Sequence, residues 1–238
     1  MAALRESAFS SQRGSFSGTS SITDPPKSTA EFSEASPAAS AVSSSRGILP
    51  QFQQLQAQNN DIKAWIQIEG TKVNYPVMQT PEEPEFYLHR NLHKEEESRG
   101  LPFLDAESDL EKSKNYLVYG HNMRDGTAFA GLLGYLDQSF FEKHRMIRFD
   151  TQYGAGNYQV IAVFRSRIYT TDSKKFKYYQ YENIETQDDF NTYINHVKKL
   201  EDYETGVGAS YGDQLLTLST CYEYVKDGRL VIVAKKVK

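Results

Sequence analysis

The chain has 238 residues, enough for one good-sized domain with appendages or for two small ones. Its formal net charge of −4 excludes the broad basic field expected of a nucleic-acid binder. No apolar run approaches the ~20 residues needed to cross a bilayer, and the N-terminus lacks the charged-then-apolar layout of a signal peptide. The expectation is therefore a cytoplasmic protein or a chain that has lost its targeting segment.

Residues 1–46 are dominated by Ser, Ala, Thr and Pro. They hold too few large apolar groups to offset the entropy of ordering them. This stretch reads as a disordered tail: a stalk, a linker or a segment of engineered origin. From Gly47 the pattern changes, and a folded domain is expected over 47–238. Pro50 can open a helix that puts Leu49, Phe52 and Leu55 on one side. Strands are predicted at 64–68, 73–78, 101–104, 116–121, 146–149, 158–167, 214–221 and 229–237. Between Thr127 and His144 the character is mixed and helical. One clear helix is predicted over about 186–200. Thr186 and Asp189 supply a cap and a first-turn acid, Phe190, Tyr193, Ile194 and Val197 make an apolar stripe, and Lys198 and Lys199 suit the C-terminal dipole. An aromatic content of 13 %, many short strands and few helices point to a mainly β fold, a closed or nearly closed antiparallel barrel.

Cys221 is the single cysteine, so it can form neither an internal disulfide nor a multi-cysteine metal site. It ends the run Leu215-Leu216-Thr217-Leu218-Ser219-Thr220. Two-residue alternation puts Thr217, Ser219 and Cys221 on one face, with Leu216, Leu218 and Thr220 on the other. The sulfur is expected on the polar side at the strand's end, where a reactive thiol is favoured over a core one. A nucleophilic thiol needs a base or cation nearby. His121 follows Gly120 at the end of another strand and opens a polar loop, although a histidine there could equally be bonded to backbone. Arg229 begins the last strand eight residues after Cys221, and a hairpin would bring it back towards the sulfur. There it could stabilise thiolate or an oxyanion, or simply be an exposed strand-end arginine. His89 and His93 are spaced as metal ligands could be, but no convincing partner completes a set, so no metal site is assigned.

These residues resemble the sortases, and among them class B. Thr217-Leu218-Ser219-Thr220-Cys221 is similar to the family's T-L-x-T-C signature, Tyr119-Gly120-His121 to its histidine segment, and Arg229 to its arginine. Further similarity runs through Trp65–Val77, Phe86–Asn91, Phe140–His144 and Val231–Lys236, covering about 48–238. The resemblance implies an eight-stranded barrel with N-terminal helices and one inserted helix. It implies residence on the outer face of a Gram-positive cell membrane, through an N-terminal anchor that is missing from this chain. Cys221 would attack the threonine carbonyl of an N-P-x-T-(G/N/S) sorting motif in a secreted protein and form a thioacyl enzyme. His121 would move the protons, and Arg229 would hold the carbonyl and its oxyanion. The acceptor would be a peptidoglycan precursor amine or, in a pilin polymerase, a pilin lysine. No cofactor is implied. Ser219, Thr220, Asn91, Thr171, Tyr178 and Tyr179 are candidate substrate-binding residues, the tyrosines having hairpin packing as their alternative. With Cys221 and His121 near ordinary pKa values, little thiolate–imidazolium pair would exist at neutral pH. A non-catalytic extracellular barrel that binds a partner is the alternative from another class.

Overall fold

A computed structural model describes residues 46–237, so the expected tail lies almost wholly outside the described residues. Eight strands follow one another: β1 Ile62–Gln67, β2 Asn74–Met78, β3 Phe103–Leu104, β4 Asn115–Gly120, β5 Met146–Thr151, β6 Asn157–Arg167, β7 Leu215–Cys221 and β8 Gly228–Val237. They close into a barrel in the order β1-β2-β3-β4-β7-β8-β6-β5, with β5 pairing back onto β1. The sequence reading of an antiparallel barrel is corrected in one respect, because two of the strand pairs are parallel. The pairs β2–β3 and β4–β7 run parallel. Between β4 and β7 the chain lays down β5, β6 and two helices, and only a long crossover can return a strand in the same direction. That parallel pair brings the ends of β4 and β7 to one rim.

Among the described residues three α-helices accompany the barrel: α1 Pro50–Gln56, α2 Gln138–Lys143 and α3 Gln187–Leu200. Pro50 opens α1, where a missing amide hydrogen costs nothing. Its Phe52 and Leu55 are buried with Trp65, Tyr87 and Phe103 on the outside of the barrel. α3 is capped as its sequence predicts, with the Thr186 hydroxyl accepting from the Asp189 amide at 3.1 Å. Phe190, Tyr193 and Val197 of α3 pack with Phe164, Leu215 and Val231. Leu216, Leu218 and Ile232 face a separate interior core with Phe129 and Phe149.

The strands β4 and β7 are thus covered on both faces, and six consecutive residues of β7 are buried. The Thr217–Ser219 face is polar, as its alternation predicts, and it is buried. Thr217 shares a 2.7 Å hydrogen bond with the Tyr193 hydroxyl and donates to Asn115 Oδ1 at 2.8 Å. Ser219 shares one of 2.7 Å with the Tyr178 hydroxyl. The hydroxyls on this face are satisfied by the segment that covers them, as burial requires.

Candidate active site

Register alone gathers the three residues singled out by sequence. In the parallel pair Gly120 lies opposite Thr220, so the next residue of each chain, His121 and Cys221, leaves the sheet at the same level. In the antiparallel pair Cys221 lies opposite Arg229. Neighbouring strands are about 4.8 Å apart, so all three side chains start from adjacent positions at one rim. Two glycines make this possible. A Cβ at Gly120 would sit 2.7 Å from the Phe129 ring, so a side chain there would push β4 off its seat. At Gly228 a Cβ would meet the Tyr222 carbonyl at 2.1 Å, so the turn delivering Arg229 closes only around glycine.

The three residues open onto one cleft of about 590 Å³. Phe103, Tyr119, Leu88 and Ile168 give it apolar walls, and Glu85 and Asp105 add carboxylates. Cys221 is a half-buried free thiol. Arg229 is half-buried and donates through Nη1 to the Gly228 carbonyl at 3.0 Å. Among the described residues no carboxylate pairs with it.

The imidazole of His121 is held differently. Burial lowers its pKa below the ordinary histidine value, and nearby His89 adds to the shift, while a hydrogen bond with the Leu88 backbone opposes it. Its Nε2 is buried and has no hydrogen-bond partner among the described residues. A thiol, an imidazole with an unpartnered nitrogen and an unpaired guanidinium around one cleft can together perform acyl transfer. Because the pKa of His121 is lowered rather than ordinary, imidazolium is scarcer at neutral pH than sequence alone implies.

The six candidate substrate residues fall in different places. Ser219, Thr220 and Tyr179 line the cleft. Thr220 is 1 % exposed and donates to the Gly120 carbonyl at 2.8 Å, tying β7 to β4. The Tyr179 hydroxyl is engaged with Tyr169, accepting from its amide and donating to its carbonyl. Tyr178 is wholly buried, which removes it from direct contact with a peptide. Its hydroxyl is pushed up to about 12, first by burial, with Ser219 and Arg229 pulling the other way. Asn91 lies outside the cleft lining. Its amide holds a local turn, accepting from the His93 and Glu95 amides and donating to the Glu95 carboxylate. Thr171 is also outside the lining, and its carbonyl accepts from Lys177. Sequence reading missed Tyr119, Asp105 and Leu88. Tyr119 was within reach of it, because two-residue alternation puts it on the same face as His121.

The family described as "Sortase domain" matches residues 66–237, and the chain belongs to the sortase family. Two relatives named Sortase B define the branch. The one from Staphylococcus aureus is 34 % identical, covering 80 % of this chain and 76 % of the relative. The one from Listeria monocytogenes is 37 % identical, covering 79 % and 74 %. A solved Staphylococcus aureus sortase B–substrate complex superposes with a TM-score of 0.71 at 33 % identity, covering 81 % of this chain and 87 % of that one. The chain is thus a class B sortase, a transpeptidase of the cell wall.

Proposed function

We propose that Cys221 is the nucleophile, His121 the general acid and base, and Arg229 the oxyanion and carbonyl ligand of a sorting reaction. The substrate is the N-P-x-T-(G/N/S) motif of a secreted protein, taken on the outer face of the membrane. The convergence of the three residues at the rim of β4, β7 and β8 supports this reading. His121 Nε2 takes the proton of the Cys221 thiol, the thiolate attacks the threonine carbonyl, and the negative charge on oxygen is met by the Arg229 guanidinium. Collapse breaks the peptide bond as His121 Nε2 delivers its proton to the leaving amine. An acceptor amine then gives a proton to Nε2 and attacks the thioester, releasing Cys221. The acceptor we favour is a peptidoglycan precursor amine.

Ser219, Thr220 and Tyr179 border the bound motif in this reading, which their place in the cleft lining supports. The apolar walls suit its proline and would shield the thioester from water. Transfer wins over hydrolysis when the amine reaches that thioester before water does. Incubation with a panel of motif peptides and an amine nucleophile, followed by mass, tests the reading. The expected products are an acylated Cys221 and a peptide–amine conjugate. An unmodified Cys221 with no cleavage across the panel defeats it. Isopeptide ladders with a lysine-bearing pilin acceptor would move the assignment to pilin polymerisation. A partner-binding function that survives Cys221→Ala would favour the non-catalytic barrel.

A further inference from the structure

His89 was read from sequence as one half of an incomplete metal pair. It has another neighbour. The segment Phe86–His89 forms a short 3-10 helix beside the cleft, and the His89 ring lies 5.2 Å from that of His121, tilted by 30°. The preceding residue, Leu88, engages the same imidazole through its backbone. Two consecutive residues of one helical turn therefore act on His121. His121 itself lies just past the end of β4, at the start of the loop 121–128, where backbone alone would leave its side chain free to rotate.

We propose that His89 is a positioning residue for His121: its ring braces one face of the imidazole, so that Leu88 and His89 together hold Nε2 ready for proton transfer. The brace is chemically two-sided. A neutral His89 offers an aromatic face, whereas a protonated one opposes a second positive charge on His121. His89 is exposed while His121 is half-buried. The remaining ionisable groups lining the cleft are Glu85 beside the 3-10 helix, Asp105 after β3, Tyr119 on β4, Tyr179 in the segment before α3, Cys221 on β7 and Arg229 on β8. Arg124 and Asp125 follow His121 in the loop. None is altered when His89 is replaced, so a difference between variants isolates His89.

The kinetic half of this proposal rests on the transpeptidase reading, so the experiment carries a second readout that does not. The full chain, as wild type, His89→Ala and His89→Phe, is followed by histidine NMR titration and by peptide-cleavage kinetics. Losing the brace in His89→Ala should lower kcat about tenfold with KM little changed, as misorientation of a reacting group does. His89→Phe keeps a ring without a charge. It should recover most of kcat and raise the midpoint of the His121 titration, because the repulsion is gone. An unchanged His121 titration in both variants, with kcat intact, overturns the proposal. So does an equal loss in both variants accompanied by a lowered unfolding midpoint, since that marks a role in folding alone. If no variant cleaves any motif while the His121 midpoint still rises in His89→Phe, the pairing stands and the transpeptidase reading falls.

Discussion

The two faces of β7 are built on opposite principles. Inward, Leu216 and Leu218 lie in an apolar core with Phe129, Phe149 and Ile232. Outward, Thr217 and Ser219 sit as deeply, at 0 % and 1 % exposure, but each is tied to a tyrosine hydroxyl. Apolar packing is strong and forgiving of direction, whereas hydrogen bonds in a dry layer specify distance and angle. The side that continues to Cys221 is the one that is specified. The outer layer therefore fixes where the sulfur stands, and the inner layer holds the strand in the barrel.

That contrast can be broken by experiment, most sharply from the inside. Leu218→Ala should lower unfolding free energy by about 2–5 kcal/mol through the cavity it leaves. Denaturant melts should show this as a shifted midpoint at constant slope, with the acylation rate of the surviving folded protein close to normal. On the outside, Tyr178→Phe strands the Ser219 hydroxyl in a dry site and should cost about 1–3 kcal/mol. Its acylation rate should fall further than that of Leu218→Ala, in reverse order to the stabilities. If Leu218→Ala is the slower enzyme, the division of labour is wrong. Tyr193→Phe is milder, about 0.5–1.5 kcal/mol, because Thr217 keeps its bond to Asn115.

The smallest expected effect is one of pH. The lowered pKa of His121 means that the unfolded chain takes up its proton first as acid is added. The stability tied to the neutral ring is present above the ordinary histidine value of about 6.5 and is lost as pH falls through the lower folded value. His121→Gln should therefore flatten the decline of the unfolding midpoint just below pH ~6.5. A decline equally steep in both proteins would place the acid sensitivity elsewhere.

Much of this arrangement was legible in the residues. Runs of β-branched and aromatic side chains located every strand to within a few residues, and the Thr186 cap located α3. Two-residue alternation separated the leucine face of β7 from its hydroxyl face. Alternation does not say what covers a face, however. Tyr178 reaches Ser219 across 41 residues of sequence, and nothing local foretells it. Strand direction was invisible for a similar reason, since a parallel and an antiparallel β4 would carry the same pattern. Asn91 shows a third limit. An amide that looks available in a motif can be consumed by its own turn, and that depends on backbone geometry that the letters do not encode.

The β4–β7 tie has one more consequence. The Thr220–Gly120 hydrogen bond spans 100 residues, and the imidazole and thiol that follow it are just as far apart along the thread. In an unstructured polypeptide such distant groups meet rarely, and contacts of long sequence separation are slow to form. The thiol and the imidazole therefore come side by side only when the last hairpin zips into place beside the strand that ends at the histidine.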